Sequence, residues 1–279
     1  MLGIWDFKML WHPPETIITI GNFDIRTYGL LLALAIVTTY SWAEYRAKKN
    51  GLTSHLASDV FFWAIIGAMI GARLGFVIQE LGYFQTHLAE VFAVRAGGLS
   101  FHGGLVGGLL AGLIVLKKHQ AMGQFWLLAD AAATPLLLGA AIGRLGNWAN
   151  QELYGYPTSL PWGITIDPAH RLPGYESFTT FHPTFAYEAI LNLIGLLILI
   201  ILLENGQKFV TRHSSFEIVP AGASFLFALA WYSLARGITE IWRISDRLAG
   251  SLSLAQLISI GLISICAAVY LRQHLKIKN

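Results

Sequence analysis

The sequence predicts an all-α integral membrane protein with seven transmembrane helices and a small extracytoplasmic cap. The first observation is composition: 55% of the 279 residues are hydrophobic, 13% are charged, and the mean hydropathy is +0.56. A soluble domain would carry about 25% charged residues, so much of this chain needs lipid around it. The second observation is that apolar segments of about 20 residues, the length that spans a bilayer, recur along the chain. We expect one polytopic membrane domain over residues 1–279.

Seven segments meet the length requirement, and the connections between them are unequal. The longest connection, about residues 149–184, is rich in Pro, Gly and Tyr. Because connections of that length in compact proteins are usually functional, we predict that it forms the cap. The predicted spans are residues 28–46, 57–79, 99–116, 125–148, 185–203, 219–241 and 253–271.

Glycines spaced four residues apart mark the second, third and fourth spans. Small residues on one helical face let helix backbones approach closely. These spans are therefore expected to form the tight centre of the bundle. The glycines are Gly67, Gly71 and Gly75, then Gly103, Gly104, Gly107, Gly108 and Gly112, and finally Gly139 and Gly143.

Basic residues predict the orientation, because cytoplasmic connections are enriched in Lys and Arg. One set of connections holds ten of the nineteen basic residues, and the opposite side holds six. The first set is expected to be cytoplasmic, which places the N-terminus outside and the C-terminus inside. The ten residues are Arg46, Lys48, Lys49, Lys117, Lys118, Lys208, Arg212, Arg272, Lys276 and Lys278.

Three arginines, Arg73, Arg144 and Arg236, lie within or at the margin of predicted spans. A charged side chain at membrane depth is costly unless it is paired or hydrated. For one such arginine, a structural ion pair and a functional role are equally good interpretations, whereas three in one small bundle favour function. The acidic residues available for structural pairs are Asp59, Asp130, Glu188 and Glu240.

The strongest local pattern is Gly143-Arg-Leu-Gly-Asn-Trp-Ala-Asn-Gln-Glu-Leu-Tyr-Gly155, at the outer end of the fourth span. Arg144 and Asn147 are three residues apart and therefore share a helical face, which Asn150 continues. An arginine fork binds two phosphate oxygens at once and keeps its charge at any relevant pH. We interpret these three residues as a phosphate-binding group. The alternative is an Asn/Arg network that caps a helix end.

Glycines surround His102 in the stretch Gly97-Gly-Leu-Ser-Phe-His-Gly-Gly-Leu-Val-Gly-Gly108. An accessible imidazole titrates near neutrality and can take a proton from a thiol or a hydroxyl. His102 is therefore a candidate general base, and a purely hydrogen-bonding role is the alternative. Ser100 lacks the Gly-x-Ser-x-Gly context of a serine hydrolase.

Charged residues near the end of the sixth span are spaced as a ladder. Arg236 and Glu240 are four residues apart, and Glu240 and Arg243 are three apart, so each pair consists of helical neighbours. A buried ladder would fix the direction of Arg236, whereas an exposed one would be a solvated face. Tyr28, at the start of the first span, and the segment 182–188, at the start of the fifth, are predicted on the same outer side.

Several kinds of site find no support in the sequence. We find no His-Glu-x-x-His motif, no close Asp/His cluster and no glycine-rich P-loop, so we expect no metal and no other cofactor. A formal net charge of +3, with the basic residues between apolar segments, argues against a nucleic-acid partner. Cys266 lies in an apolar run and is expected to be a buried packing residue.

Together these motifs resemble the prolipoprotein diacylglyceryl transferase family, from about Ile25 to the last span. The most specific match is Gly143-Arg-x-Gly-Asn-Trp-x-Asn-x-Glu-x-x-Gly155. One departure precedes the last span, where Ser253-Leu-Ala-Gln256 stands in place of the Met-Gly-Gln stretch of many members. Supporting matches are Gly98-Leu-Ser-Phe-His-Gly-Gly104, His182-Pro-Thr-x-x-Tyr-Glu188 and Arg236-x-x-x-Glu-x-x-Arg243.

The resemblance implies a seven-spanning protein of the bacterial inner membrane, with its N-terminus and its active site outside. His102 matches the histidine implicated in activity, Tyr28 the tyrosine near the first span, and Arg144 the arginine that contacts phosphatidylglycerol. The other positions that match the family's motifs are Asn147, Glu152, Gly155, Arg236, Glu240 and Arg243.

The implied reaction transfers the diacylglyceryl group of phosphatidylglycerol, drawn from the membrane lipids, to the cysteine of a lipobox-containing prolipoprotein. The thiol attacks the glycerol carbon that bears the phosphate, a thioether forms, and glycerol phosphate leaves. His102, helped by Tyr28, is the expected base, although arginines near the thiol could lower its pKa without any base. The competing interpretations are a transporter or scramblase for an anionic lipid or solute, and an intramembrane protease. The sequence offers neither the serine elbow nor the reactive cysteine that such a protease would need.

Overall fold

The computed structural model describes residues 13–20, 23–93, 98–204, 220–245, 247–249 and 251–278. Within these ranges the chain is mostly helical, with a π-helical segment, Leu199–Glu204, continuing α6. The α-helices are α1 (Thr27–Lys49), α2 (Ser54–Gln79), α3 (Leu81–Phe84), α4 (Phe101–Lys118), α5 (Phe125–Ala149), α6 (Thr184–Ile198), α7 (Ala223–Thr239) and α8 (Leu254–Lys278).

Each of the seven predicted spans overlaps one long helix, namely α1, α2 and α4 to α8. Among the described residues, four helical stretches are long and apolar enough to cross a membrane: Ser54–Gln79, Met122–Ala149, Thr184–Ile201 and Leu254–Leu275. The multi-pass membrane character of the chain is therefore confirmed, and the full count of seven spans stays a prediction. Lys208 and Arg212, which supported the orientation, lie outside the described residues.

Short antiparallel hairpins occur beside the helices, although an all-α fold was predicted. Each consists of two strands of two to five residues and lies outside the predicted spans, except that the last hairpin ends at Ser253, the first residue of the seventh predicted span. The sequence signal was weak because strands this short show no sustained alternation of polar and apolar residues. The strands are β1 (Thr16–Ile20) with β2 (Phe23–Arg26), β3 (Ile164–Thr165) with β4 (Thr180–Phe181), and β5 (Arg247–Ala249) with β6 (Leu252–Ser253).

The chain divides into two compact units. The first unit comprises Met1–Thr39 and Ala133–Asn279, and the second unit comprises Tyr40–Ala132. In the first unit, the long connection 149–184 folds around a small apolar core. That core consists of Tyr154, Ile164, Ile166, Phe181 and Phe185.

In the second unit, α2 and α4 pack with their backbones in close approach. A Cβ atom added to Gly71 would lie 2.3 Å from the carbonyl oxygen of Gly103, and one added to Gly107 would lie 2.2 Å from that of Gly67. The close packing predicted from the glycine spacing is thus confirmed for the second and third spans.

The glycines of the fourth span have different surroundings. Gly139 lies against the side chain of Thr39 in α1, and a Cβ atom at Gly143 would meet nothing within 4 Å among the described residues. Four-residue spacing aligns glycines on one face of a helix, but it does not reveal which partner lies opposite that face.

Candidate active site

Arg144 lies in the last two turns of α5 and contacts two other helices of the first unit. Its Nη2 donates to the carboxylate of Glu188 in α6 and, at 3.5 Å, to the hydroxyl oxygen of Tyr232 in α7. Its Nη1 donates to Oδ1 of Asn147 at 3.2 Å. The side chain of Glu188 is only 1% exposed, so this is a buried ion pair that holds the guanidinium in one orientation.

The end of α5 folds back so that a carboxylate completes the network. Gln151 and Leu153 adopt positive φ angles of 51° and 57°, which turn the chain directly after the helix. Oε1 of Glu152 then accepts hydrogen bonds from Nδ2 of Asn147 at 2.7 Å and from Nδ2 of Asn150 at 3.4 Å. The shared face predicted for Arg144 and Asn147 is therefore a continuous hydrogen-bonded chain.

Gly155 joins this segment to the end of α7 by a close backbone approach. Gly155 and Arg243 form an antiparallel bridge, and the amide of Tyr156 donates to the carbonyl of Trp242 at 2.8 Å. A Cβ atom at Gly155 would lie 2.2 Å from that same carbonyl oxygen of Trp242. Any larger residue at this position would push the two segments apart.

The ladder at the end of α7 is partly buried. Arg236 forms an ion pair with Glu240, whose side chain is 3% exposed. Burial lowers the pKa of the Arg243 guanidinium to about 10, and the positive charges of Arg236 and Arg144 act in the same direction. These three arginines, Arg144, Arg236 and Arg243, form the arginine cluster. They are near enough to repel one another, and an anion placed among them would relieve that repulsion.

Tyr28 lies beside the end of α5 that carries Arg144. It is half-buried at the start of α1, and its ring lies so close to α5 that a Cβ atom at Gly146 would be 2.7 Å from its Cδ2. The starts of α1 and α6 and the ends of α5 and α7 thus meet in the first unit, as expected for helix ends on one side of a membrane.

His102 and Arg73 belong to the second unit. His102 is exposed in the first turn of α4, where Oγ of the N-cap residue Ser100 accepts a hydrogen bond from the amide of Gly103 at 3.4 Å. Its position relative to the arginine cluster stays a prediction.

Arg73 has a structural environment. Its guanidinium donates to the carbonyl oxygens of Val91 at 2.8 Å and Gly98 at 2.9 Å, and it lies over the rings of Phe76 and Phe84. Arg73 therefore holds the connection before α4 against α2.

Two residues that orient the cluster were missed as site residues. In the sequence, Glu188 stands out only as a possible structural partner and as part of a motif. In the structure it pairs with Arg144 from α6. Tyr232 lies one turn before Arg236 on α7, and that spacing was its only signal. Both act through contacts between helices that are distant in sequence.

The comparisons with known proteins agree with these motifs. The family model described as prolipoprotein diacylglyceryl transferase matches residues 15–272. The chain belongs to the prolipoprotein diacylglyceryl transferase family. Its arginine cluster is built from the same stretches that carried the resemblance in the sequence.

Individual members of the prolipoprotein diacylglyceryl transferase family match over most of their length. A protein of Trichormus variabilis named phosphatidylglycerol–prolipoprotein diacylglyceryl transferase is 38% identical over 248 residues, 89% of this chain and 85% of that protein. A protein with the same name from Synechocystis sp. is 34% identical, over 98% of this chain and 94% of its own length. Another with that name, from Fervidobacterium nodosum, is 33% identical, over 92% of this chain and 84% of its own length.

Proposed function

We propose that this protein transfers the diacylglyceryl group of phosphatidylglycerol to the lipobox cysteine of a prolipoprotein, the first step of bacterial lipoprotein maturation. In the reaction a carbon–sulfur bond forms, the carbon–oxygen bond to the phosphate breaks, and glycerol phosphate leaves. The observation that carries the proposal is the arginine cluster of the first unit, together with the family membership.

Arg144 is suited to hold the lipid phosphate. A guanidinium has five N–H donors, and the contacts described for Arg144 use three of them, to Asn147, Glu188 and Tyr232. Within the described part of the chain, the Nε–H and the second Nη1–H remain for phosphate oxygens. Because Glu188 fixes the plane of the guanidinium, little ordering is left to be done when the lipid binds.

Arg236 and Arg243 are suited to stabilise the leaving group. Negative charge develops on the phosphate oxygen as the carbon–oxygen bond breaks, and preorganised positive groups lower the barrier to that step. Glu240 holds Arg236 by an ion pair, while Arg243 contributes charge next to it.

The thiol must lose its proton before it attacks, since the thiolate is the nucleophile. The family resemblance assigns that task to His102, with Tyr28 as a helper. We expect His102→Gln to reduce turnover at least tenfold, because a general base contributes about 10²–10⁴-fold. Turnover near that of the wild type, measured as thioether formed per enzyme, would show that the arginine cluster activates the thiol without this base.

The topology follows from the distribution of basic residues. We propose seven spans in a bacterial inner membrane, with the N-terminus outside, the C-terminus in the cytoplasm and the connection 149–184 as an extracytoplasmic cap. In this orientation the starts of α1 and α6 and the ends of α5 and α7 face outwards. The arginine cluster would then lie on the side from which a secreted precursor presents its cysteine.

The direct test is chemical. Purified protein in phosphatidylglycerol vesicles, given a synthetic lipobox peptide, should convert the peptide to its diacylglyceryl thioether, detected by mass spectrometry. A peptide with Cys→Ser and vesicles of phosphatidylethanolamine alone are the controls and should give no product. Movement of intact phosphatidylglycerol between leaflets without any peptide adduct would support a scramblase instead.

A further inference from the structure

The second unit carries three metal-ligating side chains outside the arginine cluster, so the expectation that the chain has no close Asp/His cluster is wrong. His55 and Asp59 lie one turn apart at the start of α2, and His119 is the C-cap residue of α4. Oδ2 of Asp59 is 3.2 Å from Nδ1 of His55 and 3.1 Å from Nε2 of His119. We propose that these residues, the His55–Asp59–His119 site, bind a first-row divalent transition metal ion of the zinc class.

The spacing of the ligand atoms fits such an ion. One ligand atom from each residue can be chosen so that all three lie within 4.8 Å of one another. Zinc binds histidine nitrogen and carboxylate oxygen at about 2.0–2.2 Å, which puts ligand atoms at tetrahedral corners about 3.4 Å apart. The two nitrogen–oxygen distances are already within a few tenths of an ångström of that value, so small side-chain rotations suffice.

The ligand set selects the class of metal. Two imidazoles and one carboxylate suit zinc, nickel or cobalt, whereas magnesium and calcium prefer oxygen ligands alone. The side chains of Asp59 and His119 are 35% and 32% exposed, and that of His55 is 81% exposed. A bound ion would therefore keep at least one position for water and would exchange with solvent.

The packing of α2 against α4 holds the three ligands in register. Gly67 lies against Gly107 in the antiparallel contact. Twelve residues back from Gly67 is His55, and twelve residues on from Gly107 is His119. The same close backbone contact that aligns the glycines therefore brings the two histidines to one end of the helix pair.

The first turn of α2 is also fixed by α1. Oε1 of Glu44 accepts hydrogen bonds from the hydroxyls of Ser54 at 3.3 Å and Ser58 at 2.8 Å. Ser54 directly precedes His55, and Ser58 directly precedes Asp59. The backbone that carries both ligands is therefore held in place before any ion binds.

Charges around the site act in both directions. The C-terminal end of α4 favours a cation, while the N-terminal end of α2 opposes one. Lys117 and Lys118 add positive charge next to His119. The alternative to a metal is a structural one, in which the ring N–H groups of both histidines donate hydrogen bonds to the carboxylate of Asp59.

Metal titration of the full-length protein without a polyhistidine tag distinguishes a metal site from the structural alternative. After chelator treatment in detergent, zinc is titrated by calorimetry and cobalt by visible absorption. The wild type should bind one ion per chain, with the strong d–d bands of four-coordinate cobalt. His55→Gln and Asp59→Asn should each weaken binding at least tenfold and abolish those bands.

His87→Gln is the matched control, because His87 is an exposed histidine of the same unit that stacks on Tyr83. It should bind metal as the wild type does, and zinc should raise the midpoint of thermal unfolding in both but not in His55→Gln. Since His55 is largely exposed, its replacement leaves the fold intact. Wild type and His55→Gln that bind zinc equally, or a wild type that binds none, would overturn the proposal, and neither result depends on transferase activity.

Discussion

At the scale of single residues, Glu188 decides the direction of Arg144. It is buried, and replacing one partner of a buried ion pair leaves the other charge uncompensated, at a cost of about 3 kcal/mol. We predict that Glu188→Gln lowers the midpoint of thermal unfolding and reduces thioether formation at least tenfold. Glu176→Gln, at an exposed carboxylate of the same unit, is the control and should change neither. A Glu188→Gln protein with normal turnover would show that Arg144 needs no fixed orientation.

Arg243 carries its positive charge at a cost in the folded protein. Because its pKa is lowered to about 10 by burial and by neighbouring arginines, folding disfavours its charged form at neutral pH. We predict that Arg243→Gln leaves the unfolding midpoint in lipid-free detergent unchanged or higher, while its affinity for phosphatidylglycerol falls. Thermal unfolding with and without added lipid measures both effects. A lower midpoint with unchanged lipid affinity would mean that Arg243 is a structural residue.

At the scale of secondary-structure elements, the packing of α2 on α4 depends on glycine. A Cβ atom at Gly71 would overlap the carbonyl oxygen of Gly103 at 2.3 Å, and forced overpacking costs about 1–3 kcal/mol. We predict that Gly71→Ala lowers the unfolding midpoint by several degrees. Gly261→Ala, in α8, serves as the control, because no described residue lies within 4 Å of its added methyl group. Equal midpoints for the two variants would show that the helices separate at little cost.

The helices were the part of the fold that the sequence predicted well. Backbone groups in lipid must be satisfied within the segment, so a long apolar stretch leaves little choice but a helix. The segments that gave α2, α5, α6 and α8 are examples. The hairpins had no comparable constraint, because water and short loops offer many alternatives to a pair of strands.

Arg46 shows why a correct count can still miss a role. It was predicted only as one of ten cytoplasmic basic residues. In the structure its Nε donates to the carbonyl oxygen of Ala131 at 3.0 Å. The residue four positions later is Pro135, which lacks an N–H, so this carbonyl cannot accept the usual helical hydrogen bond from that position. The local sequence shows the charge of Arg46, but its hydrogen-bond partner lies in another helix.

At the scale of the whole molecule, the candidate site could be predicted in part. Arg144, Asn147, Arg236 and Glu240 carried local spacing signals, Gly155 was implied by the family resemblance, and the first unit brings all five together. The other contributions come from residues far apart in sequence, as with the pair formed by Arg144 and Glu188. Spacing within one helix reveals neighbours on that helix, and it contains no information about the facing one.

The central claim is that the arginine cluster binds the phosphate of phosphatidylglycerol and so carries the transfer. It is tested most directly by the turnover of Arg144→Lys in phosphatidylglycerol vesicles with a lipobox peptide. This change keeps the charge and removes the fork. The loss of a preorganised donor predicts a fall of about a hundredfold, while Arg272→Lys, at an exposed position in α8, should match the wild type. An Arg144→Lys protein within a factor of about two of the wild type, far below the loss expected for one donor, would contradict the claim.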